Sequence, residues 1–356
     1  MSGPIPGRVD GAVKDKLLAI IEECCAAGWS LERACQTLQI DRRRVWRWQA
    51  RRAFDTLDDH RPGGNAIHGL MPSEIDAILA LAEEWGPIDC SHRKLAHRGS
   101  YLERVWVAPS TVRRVLAAHD VGLPAPLPRP APRERAPWPE WVEYRPNQVW
   151  GYDVTHFSRC RRAPNCFAII DLVSRKWIDT LLSAEETAIQ TRNVFVRALE
   201  LEDLIELVED RLDTGELPDV DDIPILLAVS DNGAPMTADA TRAFMALCSI
   251  ATHFGRPGVP TDQAPIESFF GHVKSEWPHL ETITDPQILG AELERVRIEY
   301  NSVRLHAAIG YVTPDDEHQG RGEAIRAARR AGLERADQAR RTYHRHNRNR
   351  RPETRS

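Results

Sequence analysis

Three acidic residues stand where a folded core would leave their carboxylates accessible: Asp153, Asp231 and Glu267. Asp153 lies within 148–157, a β-branched and aromatic run that predicts a strand. Asp231 follows the nearly continuous apolar run 223–230 and begins an Asp-Asn-Gly turn, so we expect it where a buried strand leaves the core. Glu267 comes after an interval of 35 residues (267 − 231 − 1 = 35), at the start of a predicted helix.

The helix predicted around Glu267 has one apolar face. Pro265 can begin it, because proline is favoured in the first helical turn. Four side chains have the i, i+3, i+4, i+7 spacing of a buried stripe: Ile266, Phe269, Phe270 and Val273. Glu267 and Lys274 are seven residues apart, about two turns, and share the face beside that stripe. We therefore expect Lys274 to contact a phosphate backbone near the acids.

Carboxylates at this spacing suit chemistry on a phosphodiester. Cleavage and transfer of a phosphodiester need an attacking and a leaving oxygen in line, with the developing charge neutralised, and two divalent metals about 3.5–4 Å apart do this. Mg²⁺ prefers oxygen ligands, which three carboxylates supply. Without a metal, three clustered acids would repel one another and raise one another's pKa. The three acids therefore form a candidate metal site.

The ordered motifs resemble a known family, the transposases of bacterial insertion sequences, whose core has the retroviral-integrase type of RNase H-like fold. The resemblance extends over about residues 147–315. The matching motifs are Trp150-x-x-Asp153, Ser230-Asp231-Asn-Gly233, Glu267-Ser-Phe-Phe270 with Lys274, and Tyr300-Asn301-x-x-Arg304-x-His306. The chain departs from the family in a longer acidic stretch, 200–222, which puts partner contacts in question, and in Gln263, where the family often has Asn.

The resemblance implies a function and a site. It implies that Asp153, Asp231 and Glu267 are the catalytic acids of a DDE enzyme and bind two Mg²⁺, for which Mn²⁺ can substitute. It also implies that Lys274 contacts DNA, that a 3′-hydroxyl is joined to a target phosphate, and that the protein acts as a homo-oligomer on double-stranded DNA. The implied core is an α/β RNase H-like domain with a mixed sheet flanked by helices.

Other readings of the polar residues stay open. Asp153 could be a hydrogen-bonded strand acid, and Asp231 could only begin a turn. We interpret Asp171 and Asp262 as structural acids. Glu276 is a weaker rival to Glu267, because it lies outside the face shared with Lys274. Two further residues, Arg304 and His306, could either stabilise the local structure or lie near the substrate.

The N-terminal region predicts a helix-turn-helix module. Val13 to Ala26 is amphipathic, Ser30 can cap a helix through Leu38, and Asp41 can cap a third helix, 42–52. In that third helix Val45 and Trp48 face the core, while five arginines stay outside: Arg42, Arg43, Arg44, Arg47 and Arg51. This pattern is typical of a recognition helix that enters the major groove. The alternative is a solvated basic helix in a small bundle.

A second module of three helices follows. Ser73-Glu-Ile-Asp76 has the pattern of a capping box and precedes an apolar stripe, Ile75, Ile78, Leu79 and Ala82. A middle helix is predicted around 92–97, and a third begins at Ser110. Its inward residues are Val112, Val115 and Leu116, whereas Arg113 and Arg114 face outward and are predicted to contact DNA. The segment resembles the second helix-turn-helix of the same family.

Strands are predicted near 148–157, 165–172 and 176–182, followed by a helix from about 184 with Val194, Ala198, Leu201 and Ile205 on one stripe. A helix near 237–250 and a strand near 251–255 precede the Glu267 helix. The predicted domains are a helix-turn-helix, 10–55; a second helix-turn-helix, 70–122; a proline-rich extended linker, 123–146; the integrase-type core, 147–318; and an arginine-rich tail, 319–356. The tail is either a nonspecific DNA grip or a solubilising segment.

The net charge of the whole chain does not indicate a DNA-binding protein, but the charge of individual segments does. The 356 residues carry a net charge of −5, but acids crowd 200–222 while arginines crowd 42–52 and the tail. The seven cysteines, the lack of a secretory leader and the lack of an apolar run near 18 residues predict reduced thiols in a cytoplasmic protein without a membrane span. The family resemblance implies that this protein is bacterial and associated with the nucleoid.

The sequence therefore predicts a multidomain Mg²⁺-dependent transposase that binds the terminal inverted repeats of a mobile element and cuts and joins DNA. Two alternatives differ in chemistry. One is a nuclease of the RNase H-like fold that cleaves without joining. The other is a non-catalytic, sequence-specific DNA-binding regulator or a decayed transposase.

Overall fold

The computed structural model describes residues 5–6, 9–53, 57–58, 66–124, 138–213, 223–230, 233–254 and 264–349, with the side chains of 211–213, 264–267 and 348–349 left out. The chain divides into two compact units, Met1–Gly69 with His344–Ser356, and Leu70–Tyr343. Asp231, Gln263, Asp262 and part of the acidic stretch, 214–222, lie outside the described residues.

The described N-terminal part of the first unit forms helices α1 (Gly11–Ala26), α2 (Leu31–Thr37) and α3 (Arg42–Arg52). Local side-chain caps fix where two of them begin. The hydroxyl of Ser30 accepts a hydrogen bond from the Arg33 amide at 3.2 Å, and the carboxylate of Asp41 accepts one from the Arg43 amide at 2.7 Å. Both caps were predicted. Val45 is fully buried and Trp48 is nearly so, as the α3 pattern predicts.

The second unit begins with helices α4 (Pro72–Asp89), α5 (His92–Tyr101) and α6 (Pro109–Ala118). The predicted cap at Ser73 is wrong, because the N-cap residue is Met71 and α4 begins at Pro72, whose missing N–H suits the first helical position. The carboxylate of Glu74 instead accepts a hydrogen bond from the Met71 amide at 2.9 Å. The three inward residues predicted for α6 are all buried: Val112, Val115 and Leu116.

A five-stranded mixed sheet follows. Its strands and helices in chain order are β1 (Val149–His156), β2 (Asn165–Asp171), β3 (Trp177–Ser183), α7 (Ala188–Leu201), α8 (Ile205–Asp213), β4 (Leu226–Ser230), α9 (Ala234–Thr237), α10 (Asp239–Leu247), β5 (Ile250–Phe254), α11 (Ala264–Glu276), α12 (Pro286–Ser302), α13 (Pro314–His318) and α14 (Gly322–Asn349). The strand order is β3-β2-β1-β4-β5. β1, β2 and β3 pair antiparallel, whereas β4 is parallel to both β1 and β5.

Helices cover both faces of the sheet. Apolar side chains of α11 and α12 form one buried cluster with alternate residues of the strands, and those of α7, α8 and α10 form a second cluster with the intervening residues. This alternation is the period of two expected of strands. The mixed sheet flanked by helices confirms the predicted fold class of the core.

Several predicted boundaries are wrong. α7 begins at Ala188 rather than near 184 and ends at Leu201, which is 53% exposed and not part of the buried stripe. The helix predicted near 237–250 is α10, which begins at Asp239, after an extended Ala238 with ψ of 141°, and ends at Leu247; the short helix α9 precedes it. Trp138 and Trp141, which the composition assigned to the linker, pack against the core of the sheet domain.

α5 contacts the segment that follows α12 through a buried arginine. The side chain of Arg98, 2% exposed, forms an ion pair with Asp89, 1% exposed, at 3.0 Å. The guanidinium also donates a hydrogen bond to the carbonyl oxygen of Val303 at 2.8 Å and stacks over the ring of Trp85 at 4.1 Å. One buried cation thus fastens the second helical module to the sheet domain.

Two further contacts lie at the same junction. The ring of His97 stacks on that of Tyr311 with a centroid distance of 4.2 Å. The hydroxyl of Tyr101 donates a hydrogen bond to the carboxylate of Asp316 at 2.5 Å. Burial, with a smaller effect of the Arg329 guanidinium, lowers the pKa of His97 to about 4. The stacked imidazole is therefore neutral at neutral pH.

Two arginines of α14 bind residues of the second helical module within this unit. Arg329 donates a hydrogen bond to the hydroxyl of Ser100 at 3.0 Å. Arg340 pairs with Glu74 at 2.8 Å and donates to the carbonyl oxygen of Trp106 at 2.7 Å. Arg329 and Arg340 therefore have a structural role. In the part of the chain that the structure describes, no helix is both long and apolar enough to cross a membrane.

Candidate active site

Asp153 lies on the face of the sheet that α11 covers. Along β1, Val149 and the residue after the strand, Phe157, belong to the cluster containing α11, and Asp153 shares their alternation. Its partner on β2 is Ala168, a member of the same cluster. The side chain is half-buried, and its Oδ1 accepts a hydrogen bond from the Val154 amide at 2.8 Å.

β4 runs beside β1 and ends directly before the second predicted acid. The two strands are parallel, with Gly151 opposite Val229, and β4 ends at Ser230. Leu227 and Val229 point to the face that α11 covers. Asp231 itself lies outside the described residues, so its predicted role stays a prediction.

α11 is fixed to the sheet by the predicted apolar stripe. Phe269, Phe270 and Val273 are 4%, 7% and 1% exposed. The ring of Phe269 meets that of Trp177 edge to face at 4.9 Å and that of Tyr300 at 5.4 Å. The backbone of position 267 lies in this helix, but the side chains of Ile266 and Glu267 are not described.

Lys274 connects α11 to the end of β1. Its Nζ donates a hydrogen bond to the carbonyl oxygen of His156 at 2.9 Å, lies 3.3 Å from the carboxylate of Glu281, and is 5.2 Å from the ring centroid of Phe157. The side chain is 27% exposed. The predicted DNA contact is untested, but a positioning contact between the helix and the strand is present.

Two contacts give the direction of α11 relative to β1. Phe269 packs on Trp177, the first residue of β3. Trp177 pairs with Ile170 of β2, and Ile170 pairs with Gly151 near the start of β1. Lys274, five residues later in the sequence, reaches His156 at the end of β1. α11 therefore runs in the same direction as β1.

Glu276, the rival acid, is paired with Arg304. The carboxylate receives two hydrogen bonds from the guanidinium, each 2.6 Å long. Burial alone would raise the pKa of Glu276, but the hydrogen bonds and charge of Arg304 outweigh it and hold that pKa below its usual value. Nη1 of Arg304 lies 2.5 Å from Nε2 of His306, and burial together with Arg304 holds the pKa of His306 well below its usual value. These contacts support the interpretation of Arg304 and His306 as local stabilisers.

Asn301, in the same motif, binds the backbone of β3. Its side-chain amide donates to the Trp177 carbonyl oxygen and accepts from the Trp177 amide, both at 2.8 Å. The preceding Tyr300 packs edge to face on the His306 ring at 4.9 Å. The motif fastens α12 to β3 and to the segment after α12.

Asp171 is structural, as we interpreted it. The buried carboxylate accepts hydrogen bonds from the amides of Asn147, Val173 and Ser174 and from the Ser174 hydroxyl. Burial raises the pKa of Asp171 despite these hydrogen bonds. It closes the turn between β2 and β3.

One polar cluster was not predicted. Glu202, in the acidic stretch, is 5% exposed and pairs with Lys176 at 2.7 Å and with His318 at 2.6 Å. Burial would raise the pKa of Glu202, but hydrogen bonds from His318, Lys176 and Asn147 lower it to about 2. These partners are 26 to 116 residues away in sequence, so no local pattern could have indicated them.

The predicted DNA-contacting arginines separate into two groups. Five are exposed: Arg42, Arg43, Arg47, Arg113 and Arg114. Two are partly buried and bind backbone oxygens of the first unit, Arg44 those of Ile5 and Pro6, and Arg51 that of Asp58. The second group stabilises the module, while the first is accessible to a ligand.

The residues that the structure describes contain no cluster of three His, Cys, Asp or Glu side chains able to hold a metal. Asp153 is the one predicted acid whose side chain is described. Its half-buried carboxylate supplies the hard oxygen ligand that Mg²⁺ prefers, so the described part of the site fits such an ion.

Comparisons with known proteins identify the sheet domain. Residues 143–260 and residues 248–314 each match a family described as integrase core domain. The chain is 24% identical over 174 residues to the transposase for insertion sequence element IS904 of Lactococcus lactis subsp. lactis (strain IL1403), a match covering 48% of this chain and 61% of that protein.

Two solved structures are also similar. The catalytic core domain of bovine immunodeficiency virus (BIV) integrase has 18% identity and a TM-score of 0.35, and the match covers 50% of this chain and 97% of that one. The HTLV-2 integrase catalytic core domain in complex with magnesium has 17% identity and a TM-score of 0.35, covering 49% and 97%. Residues 143–314 of this chain thus match the integrase core domain family, in agreement with the observed mixed sheet.

Proposed function

We propose that the protein is a transposase that binds the ends of a mobile DNA element and catalyses Mg²⁺-dependent cleavage and strand transfer with Asp153, Asp231 and Glu267. The observation that carries the proposal is the position of Asp153, on the central strand of an integrase core domain and on the face that α11 covers. The Asp153 carboxylate is half-buried. It lies on the face next to α11, which contains Glu267, and its strand is beside β4, which Asp231 follows in the sequence.

The register of β1 and β4 supports a place for Asp231 beside Asp153. Gly151 is opposite Val229, and extending that register by two residues pairs position 153 with position 231. From the same alternation we infer that Asp231 belongs to the face that α11 covers. Neighbouring strands are about 4.8 Å apart, close enough for two carboxylates to share one cation.

The direction of α11 supports the same place for Glu267. Glu267 precedes Lys274 by seven residues, about 10 Å along a helix. Asp153 precedes His156 by three residues, about 10 Å along a strand. Because Lys274 contacts His156 and the two elements run the same way, we infer that Glu267 lies beside Asp153.

The three acids would hold two Mg²⁺, with Mn²⁺ as a substitute. When bound, the ions would neutralise charge on the attacking and leaving oxygens of the phosphodiester. Asp153 would bind from the sheet, and its hydrogen bond from the Val154 amide orients the carboxylate. Lys274 would keep α11 against β1 and present its remaining N–H bonds to a DNA phosphate.

The helical modules would supply DNA binding. In this proposal α3 and α6 are the recognition helices of two helix-turn-helix modules, and their exposed arginines contact DNA: Arg42, Arg43, Arg47, Arg113 and Arg114. Processing two element ends together calls for an oligomer, so we propose a homo-oligomer assembled on double-stranded DNA.

The experiment is a strand-transfer assay with full-length protein on labelled duplexes carrying the inverted repeats that flank its gene. We expect joined products with Mg²⁺ or Mn²⁺ and none with EDTA. Metal-dependent cutting without joining would replace the proposal by the RNase H-like nuclease. Sequence-specific binding with neither reaction would replace it by the non-catalytic regulator.

A further inference from the structure

The exposed face of α3 carries an aromatic ring among arginines. Arg42, Arg43 and Arg47 are exposed, and Trp46, which is four residues after Arg42, three after Arg43 and directly before Arg47, is 54% exposed. Trp46 is not among the side chains that form the apolar core of these three helices, which α3 reaches through Val45 and Trp48 on its other side. Folding of the module therefore does not account for an indole at this position.

Trp46 is held in place by a neighbour. The guanidinium carbon of Arg42 lies 4.6 Å from the centroid of the Trp46 ring, one helical turn away. Arg44 and Arg51, by contrast, are directed to backbone oxygens within the module. This face of α3 thus presents the flat apolar ring of Trp46 between arginine side chains. These residues all lie within the first six positions of α3.

The chemistry of this face matches one feature of duplex DNA. Arginines bind phosphates and guanine edges, whereas the face of an exposed indole ring offers an apolar surface to a ligand. In the major groove the apolar group on base edges is the 5-methyl group of thymine. The N-terminal part of a recognition helix is the part that contacts base edges.

We propose that Trp46 is a specificity-determining residue that contacts the 5-methyl group of a thymine in the DNA site. This inference rests on the proposed function, in that the first helical module binds DNA. The arginines around Trp46 would supply affinity that depends on salt, and Trp46 would supply sequence preference.

The test uses full-length protein and a duplex selected by the wild type from a random library. Each thymine is replaced in turn by deoxyuridine, which removes only the methyl group. We expect at least one replacement to weaken wild-type binding about fourfold, the factor for burying one methyl-sized group. Trp46→Ala should bind thymine and deoxyuridine equally at that position, while Trp46→Phe should keep part of the preference.

Arg47→Gln is the matched control on the same face. It should retain the thymine preference while the slope of log affinity against log salt concentration becomes shallower by about 0.9, the value for one phosphate contact. Trp46→Ala should leave that slope unchanged. The circular dichroism spectrum of each variant shows whether its helices are intact.

Two outcomes separate this inference from the proposed function. If Trp46→Ala, with intact helices, still distinguishes thymine from deoxyuridine as the wild type does, the role of Trp46 is wrong and the transposase proposal stands. If the wild type selects no sequence at all, DNA-end recognition by the helical modules is wrong, and this inference is overturned with it.

Discussion

Replacing Arg98 with methionine should destabilise the unit 70–343 far more than a typical surface change. Arg98 and Asp89 are 2% and 1% exposed, and the same guanidinium also binds the Val303 carbonyl oxygen. Arg98→Met keeps most of the side-chain volume but leaves the Asp89 carboxylate buried without its cation. Removing one partner of a buried ion pair costs about 3–5 kcal/mol of unfolding free energy. We expect a loss of that size.

The assay is urea denaturation monitored by tryptophan fluorescence, with hydrogen exchange of the α5 amides to localise the change. Adding Asp89→Asn to Arg98→Met removes the uncompensated charge, so the double variant should be more stable than the single one. Arg104→Met is the matched control, because Arg104 pairs with Glu84 on the surface of the same module and its loss should change stability little. Equal effects of Arg98→Met and Arg104→Met would refute the reasoning.

Two further predictions concern the junction and the site. Because the pKa of His97 is lowered from 6.5 to about 4, the unfolded chain takes up a proton that the folded chain does not, and stability should fall as the pH drops from about 6.5 toward 4. His97→Phe should flatten this pH dependence in urea denaturation at pH 7 and pH 5, and an unchanged dependence would contradict the assignment. Lys274→Met removes the hydrogen bond to His156, so strand-transfer turnover at saturating DNA should fall at least tenfold. An unchanged turnover, with only weaker DNA binding, would mean that Lys274 acts on DNA alone.

Local patterns predicted the parts of this protein that local forces decide. The caps at Ser30 and Asp41 need only neighbouring residues, so their positions were correct. Phe269 and Val273 were correctly predicted to be buried, because an amphipathic helix packs its apolar face against the core. The prediction that Leu201 is buried was wrong, because α7 ends at this residue. Packing, and not the periodicity of the sequence, sets that boundary.

Pairs distant in sequence were beyond such patterns. Neither the ion pair of Arg304 with Glu276 nor that of Glu202 with His318 has a signature in its own segment, because each depends on how the elements pack. Trp46 is different. Its spacing of four residues from Arg42 and three from Arg43 is visible in the sequence itself.

The candidate site was only partly open to prediction from the sequence. The motifs selected Asp153, Asp231 and Glu267, but the face on which Asp153 lies depends on the register of β1 with β2 and on which helices cover the sheet. Lys274 was expected to share a helix face with Glu267. Its contact with His156, 118 residues away, follows from packing and not from spacing.

The central claim, that three acids form one catalytic site, is tested most directly by the rate of Mg²⁺-dependent strand transfer for Asp153→Asn, Asp231→Asn and Glu267→Gln. We expect each change to lower the rate by a factor on the order of 10³ or more, since each removes a metal ligand. Glu186→Gln is the control, because Glu186 contacts His156 at the end of β1 and should be dispensable for the chemistry. Strand transfer by any of the three variants at the rate of Glu186→Gln would contradict the account.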